Sequence, residues 1–163
     1  MTDRSRSNAS DPFAAALRLL TRRDRSETEL RDKLRQFGFC ISAIDDAVTR
    51  CREYNYLDDL RYATERARSL MRSGRGVGPK ILLDLRRRGI DEDTARQALE
   101  TAGDEFRNAE ILRDQLERRF PKFDYRAADE RERRRVIGFF QRRGFSLEEI
   151  FSALNPGTGS RHD

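Results

Sequence analysis

Leu85-Arg86-Arg87-Arg88-Gly89-Ile90 has two counterparts in the chain, Leu34-Arg35-Gln36-Phe37-Gly38-Phe39 before it and Phe140-Gln141-Arg142-Arg143-Gly144-Phe145 after it. The likeness extends to both sides of each glycine. Eight residues upstream stands Leu30, Ile81 or Val136, and four upstream Leu34, Leu85 or Phe140. Downstream, the sixth residue is Ile44, Ala95 or Ile150, the ninth Ala47, Ala98 or Ala153, and the tenth Val48, Leu99 or Leu154. The glycines lie 51 and 55 residues apart, a period that points to an array of small helical units.

Apolar residues four apart share one helix face, and a glycine just past them takes the left-handed conformation that ends a helix. The apolar residue after the glycine packs back on the turn, and the downstream positions form the inner stripe of a second helix. Two helices leave faces unburied, so a third is expected before each pair: Phe13 to Arg22, Asp58 to Arg72, and Glu105 to Arg118. The expected fold is all-α, three tandem three-helix repeats in an elongated curved array. The repeats span residues 12–55, 56–103 and 104–154, between disordered tails at 1–11 and 155–163.

Punctuation supports these boundaries. Asp11-Pro12 is a cap followed by a first-turn proline, Ser26 with Glu29 and Ser146 with Glu149 form capping boxes, and Asp91 and Asp58 are caps. The first repeat has Cys40 where the others have a polar cap, so Ser42 is the alternative and would shorten that helix. Asn55 ends it. Asp104 is expected to cap the seventh helix. A charged helix should run from Ala127 to Arg143, its Arg131 and Arg133 to Arg135 beside Asp129, Glu130 and Glu132 as a solvated ion-pair face.

Gly74-Arg75-Gly76-Val77-Gly78-Pro79-Lys80 is the most unusual loop. Its glycine amides and lysine at a helix start resemble a phosphate cradle, but it lacks the Gly-Lys-Ser/Thr ending of a P-loop and follows no strand. A flexible helix connection is the simpler reading.

Of 163 residues, 36% are hydrophobic and 39% charged, which favours small repeated units over one deep core. The formal charge is +5, and 31 of the 34 basic residues are arginine, the exceptions being Lys33, Lys80 and Lys122. Arginine favours bidentate contact with phosphate or carboxylate. No apolar run reaches the length of a membrane span, and Met1 to Ser10 lacks the apolar region of a signal peptide, so a cytoplasmic protein is expected. Cys40 and Cys51 are expected as small apolar fillers with free thiols. The single histidine, His162, lies in a tail, which argues against histidine metal clusters and Ser-His or Cys-His nucleophile pairs. Asp58 and Asp59 are adjacent at a helix start and diverge, unlike a catalytic dyad. The expectation is a binding protein, not an enzyme, with no cofactor and no metal.

Three stretches resemble the bacterial RecX proteins. Ala16, Leu17, Leu20, Arg22, Arg23, Arg25, Ser26, Glu29, Leu30, Lys33 and Leu34 are similar to the family's opening. Tyr56, Leu57, Asp58, Asp59, Arg61, Tyr62 and Ala63, then Gly78, Pro79, Ile81 and Leu85 to Ile90, are similar to its centre, and Arg142 to Ser146 with Glu149 and Ile150 to its last repeat. The resemblance covers residues 13–154. Cys40 departs from the family's usual polar cap, and the loop from Gly74 to Gly78 is richer in glycine. The resemblance implies a regulator that binds the RecA–DNA filament, impedes its growth, and restrains strand exchange, ATP hydrolysis and co-protease activity; a monomer is expected.

Basic residues near the repeat turns form the candidate contact set: Arg22, Arg23, Arg25, Arg31 and Lys33; Arg72, Arg75, Lys80, Arg86, Arg87 and Arg88; Arg142 and Arg143. Their role would be charge-assisted contact with acidic RecA surface or DNA phosphate. Helix, glycine turn and helix also describe a DNA-reading helix-turn-helix. Against that, Asp45, Asp46, Asp91, Glu92, Asp93, Glu148 and Glu149 crowd the starts of the second helices and oppose phosphate. Weak DNA contact without sequence specificity, or a scaffold for other proteins, are the alternatives.

Overall fold

The computed structural model describes residues 11–155, and among these it contains nine α-helices and no strand. They form three triplets in tandem: α1 (Pro12–Arg22), α2 (Glu27–Gln36) and α3 (Ile41–Glu53) make unit 1; α4 (Asp59–Arg72), α5 (Pro79–Arg87) and α6 (Glu92–Gly103) unit 2; α7 (Asn108–Arg119), α8 (Glu130–Gln141) and α9 (Leu147–Leu154) unit 3. Of the expected tails at 1–11 and 155–163, residues 1–10 and 156–163, with His162, lie outside the described residues.

Each repeat glycine does what its position requires. Gly38, Gly89 and Gly144 have φ of 86°, 76° and 98°, and the N–H of the following Phe39, Ile90 or Phe145 returns to the carbonyl of Leu34, Leu85 or Phe140. These left-handed closures satisfy helix-end carbonyls that would otherwise lack donors. Asn55, the one non-glycine residue of the described chain with positive φ, at 56°, turns α3 into the lead of α4.

The caps show where local chemistry decided. Asp11, Ser26, Asp58, Asp91, Asp129 and Ser146 each accept a backbone N–H from their own first turn. Ser146 and Glu149 complete a reciprocal capping box. Ser26 and Glu29 make only half of one, because the Glu29 carboxylate is taken by Arg23, Tyr62 and Arg88. Cys40, not Ser42, holds the cap position of α3, without a side-chain bond to the backbone, so the helix keeps its full length from Ile41. Asp104 does not cap α7. It closes α6 instead, and α7 starts at Asn108 after Arg107. α8 starts at Glu130, because Asp124 and Ala128 close a turn ahead of it and Asp129 supplies the cap.

Packing divides the three units unequally. Unit 1 has its own core of Ala15, Ala16, Leu19, Leu30, Leu34, Ile44, Val48, Cys51 and Leu57. Units 2 and 3 share one, running from Tyr62 and Ala63 through Val77, Ile81 and Leu85 to Phe140, Phe145 and Ile150. Phe140 is fully buried and meets Phe139 and Phe145 edge-on at centroid distances of 5.2 and 5.7 Å. Rings of this size contribute about 2–3 kcal/mol each by burial alone.

The glycine-rich loop is part of that shared core. Val77 is fully buried, and its N–H donates to the Arg143 carbonyl at 2.8 Å. The N–H groups of Gly74, Arg75 and Gly76 donate to the carbonyls of Met71 and Leu70. The loop is therefore a strut between units 2 and 3 and not a flexible connection, and the amides of Gly74, Arg75, Gly76 and Val77 are already used.

Candidate functional site

Only some of the charge at the repeat turns is free to meet a partner. At the joint between units 1 and 2, Asp84 on α5 grips two guanidinium groups. Arg66 on α4 donates through Nε at 2.8 Å and Nη2 at 3.0 Å, and Arg88 donates through Nε at 2.9 Å. Arg88 Nη1 also donates to Glu29 Oε1 at 3.0 Å and to the Tyr62 hydroxyl at 3.1 Å, tying α2 to α4 and α5. The hydrogen bond from Arg66 holds the Asp84 carboxyl below its ordinary range; partial burial opposes this and the bond from Arg88 adds to it. Burial pushes the Tyr62 phenol up, with the Glu29 charge in support.

The backbone completes this joint. Ser26 Oγ donates to the Arg88 carbonyl at 2.5 Å, and Glu27 N–H donates to Asp59 Oδ1 at 2.8 Å. Burial raises the Asp59 carboxyl despite that hydrogen bond. A hollow of about 460 Å³ opens beside the joint, lined by Arg23, Asp24, Tyr62, Glu65, Arg66 and Arg88. Its lining carries three arginines against two acids, but each of those arginines is paired with Glu29 or Asp84, which occupies the donors an anion would need.

The thirteen candidate residues fall into two groups. Arg31 bonds Glu27 and Asp45, Arg23 bonds Glu29, and Arg88 is the hub just described. Arg25 and Arg143 are partly buried, each with an Nε that has no hydrogen-bond partner. Burial and neighbouring arginines lower both guanidinium groups from their ordinary value. Arg143 lies over the Phe139 ring at 3.4 Å and donates to its carbonyl. Lys33 donates to Gln36, and Lys80 is half-buried beside Gly144.

The second group faces outward. Arg22, Arg75, Arg86, Arg87 and Arg142 are exposed, and among the described residues none forms an ion pair or side-chain hydrogen bond. Arg72, also exposed, lies 6.0 Å from the Phe106 ring centre. Every unit therefore presents at least one exposed arginine, although Arg22 and Arg72 stand at the ends of α1 and α4 and not at a repeat turn. Sequence reasoning missed Glu29, Tyr62 and Asp84 as the groups that occupy Arg88, and Arg66 as the second donor to Asp84. Only the four-residue spacing of Asp84 and Arg88 signals any of this; the other partners are brought in by tertiary packing.

The cysteines differ. Cys51 is buried, and desolvation raises its thiol. Cys40 is exposed, so it is no core filler, and a hydrogen bond with Ser42 lowers its thiol. Among the described residues no group of three or more His, Cys, Asp or Glu is placed to hold a metal ion, and no helix is long and apolar enough to cross a membrane.

Comparison with known proteins matches this architecture unit by unit. Family models for the first, second and third three-helix domains of RecX match residues 13–51, 58–99 and 107–154. A protein of Syntrophotalea carbinolica named regulatory protein RecX is 48% identical over 141 residues, covering 86% of this chain and 92% of its own. Its namesake in Trichlorobacter lovleyi is 42% identical over 144 residues, with the same coverage. The crystal structure of RecX from Lactobacillus salivarius superposes with a TM-score of 0.73 at 24% identity, covering 91% of this chain and 96% of that one, which speaks to the fold. Three matched domains in order, and relatives alike over nearly their whole length, place this chain in the RecX family of regulatory proteins.

Proposed function

We propose that this protein, acting as a monomer, binds along the RecA–DNA filament and restrains it, impeding filament growth and with it ATP hydrolysis, strand exchange and co-protease activity. The observation that carries this reading is the distribution of unpaired arginines. Arg22, Arg72, Arg75, Arg86, Arg87 and Arg142 come from all three units of a tandem array whose joints are hydrogen-bonded and packed. Contacts spaced along a stiff array act together, because after the first one forms the others are intramolecular. A filament built of identical subunits offers repeated acidic surface and phosphate to such an array, whereas a small isolated target does not.

Arg22, Arg75, Arg86, Arg87 and Arg142 supply charge-assisted contacts, with Arg72, Lys33 and Lys80 in support. Arg88, Arg31, Arg23, Arg25 and Arg143 belong to the frame that holds them. DNA is a secondary partner, met through phosphate and without sequence preference. The test is RecA ATP hydrolysis on single-stranded DNA with this protein titrated in, beside its binding to the same DNA alone. Inhibition well below the concentration that coats bare DNA supports the reading, and inhibition that only tracks coating of bare DNA contradicts it.

A further inference from the structure

Arg88 and Arg143 hold the same place in consecutive repeats, one residue before the glycine, and each lends its carbonyl to a joint. Their guanidinium groups meet different partners. Five residues before the glycine, unit 2 has Asp84, which with Glu29 neutralises Arg88, whereas unit 3 has Phe139. The Phe139 ring centre lies 3.4 Å from the Arg143 guanidinium carbon, and the Phe139 carbonyl accepts from Arg143 Nη1 at 3.1 Å. An aromatic ring thus stands where the sister unit has a carboxylate, and Arg143 is held in place without being neutralised.

Two more guanidinium groups stand beside it. Arg119, the last residue of α7 and not one of the thirteen candidates, precedes Phe120, whose ring meets Phe139 edge-on at 5.0 Å. Arg142 folds back along α8, its Nη1 lying 3.1 Å from where a Gly138 side chain would begin. Both are exposed, and among the described residues neither forms an ion pair or side-chain hydrogen bond. Burial lowers the Arg143 guanidinium from its ordinary value, the charges of Arg119 and Arg142 lower it further, and no carboxylate offsets them. Arg25, lowered in the same way, has Glu29 beside it. The C-terminal ends of α7 and α8 contribute roughly one negative charge between them, against three positive.

We propose that Arg119 and Arg142, with the fixed charge of Arg143 behind them, form a phosphate-binding site on unit 3 whose ligand is the backbone of a DNA strand. The inference rests on the reading of DNA as a secondary partner and gives that contact a place in the fold. Arginine forks match phosphate oxygens. Three uncompensated charges in one place suit a strand that brings phosphates at short, regular intervals. A protein surface intersperses its acids with bases, as Asp84 stands among arginines here. Arg143 is a positioning residue in this site, since its Nε is closed off from solvent and its Nη1 is bonded to Phe139.

The test measures the affinity of the full chain for a single-stranded DNA oligonucleotide across a range of salt concentrations, beside inhibition of RecA ATP hydrolysis. Wild type is compared with Arg119→Gln/Arg142→Gln and with a control, Arg118→Gln/Arg134→Gln. The control removes the same charge from the same unit, but from arginines paired with Asp114 and Glu130. The expected result is unchanged melting temperatures, an about tenfold loss of oligonucleotide affinity in the first variant with a salt slope shallower by about one, and less than about a twofold loss in the control. If the first variant melts early, Arg119→Gln alone is used, with an about threefold loss expected. Equal losses in the two double variants mean general charge attraction and overturn the inference, as does unchanged affinity in the first. Loss of RecA inhibition without loss of oligonucleotide affinity makes the ligand an acidic protein surface and also overturns it; in that case the filament reading stands. The expected affinity loss with no inhibition by wild type overturns the filament reading alone.

Discussion

The Val77 N–H donates to the Arg143 carbonyl at 2.8 Å, linking the glycine-rich loop of unit 2 to the repeat turn of unit 3. That bond, and its counterpart from Ser26 to Arg88, turn three small helical triplets into one array. They also set a sharp test of which glycines hold the array together.

A methyl group on Gly144 would collide with the Val77 carbonyl oxygen and crowd the Lys80 backbone, in addition to the strain of a φ of 98°. On Gly89 it would meet the Thr28 side chain, including its Cβ, which rotation does not move, and on Gly38 it would meet nothing within 4 Å. Left-handed strain alone costs about 1–2 kcal/mol. Urea unfolding should therefore show Gly144→Ala and Gly89→Ala each losing more than about 2 kcal/mol and Gly38→Ala only about 1 kcal/mol. Equal losses at all three positions would contradict the joint geometry.

Asp84→Asn should destabilise the protein by roughly 2 kcal/mol, because it strands the part-buried guanidinium groups of Arg66 and Arg88. The pH dependence follows from its lowered carboxyl. A carboxylate with a folded pKa below its unfolded one binds fewer protons when folded, so its contribution is complete above the ordinary carboxylate value and is lost as pH falls through the folded pKa. Asp91 and Glu149 act with the same sign. Asp59, raised by burial, acts with the opposite sign, and its penalty disappears on acidification. Stability measured against pH should show a shallower acid-side fall in Asp84→Asn than in wild type.

Arg86→Glu/Arg87→Glu should leave the melting temperature nearly unchanged, since both side chains are exposed and unpaired. Binding to RecA filaments should weaken about tenfold or more, with a shallower dependence on salt. Arg88→Glu, one residue further on, should instead lower the melting temperature by placing a carboxylate against Asp84 and Glu29. Differential scanning calorimetry and filament binding on the same samples separate the two effects.

Much of this was legible in the sequence, and the exceptions have one cause. The Leu85 to Ile90 repeat, its apolar spacing and caps such as Asp58 and Ser146 are local signals, and each helix could be read from them. Arg88 looks like its neighbours Arg86 and Arg87 because nothing adjacent in sequence announces its partners Glu29 and Tyr62. The glycine-rich loop looked flexible because its partners, Arg143 and Gln115, come from the following unit. Cys40 reads as a filler in sequence because a cap without a side-chain bond to the backbone carries no local signal.

The thiols give an independent check on that last point. Cys40, exposed and with a lowered pKa, should react with a disulfide reagent in the native protein near neutral pH, while Cys51 should react only after unfolding. Release of two equivalents at one rate from native protein would contradict the burial of Cys51.

The most direct measurement is the affinity of this protein for preformed RecA filaments on single-stranded DNA, set against its affinity for the same DNA alone at one physiological salt concentration. Tighter binding to the filament, weakened by Arg86→Glu/Arg87→Glu, is the predicted result. Equal affinity for filament and bare DNA would contradict the account, and would make the protein a competitor for DNA.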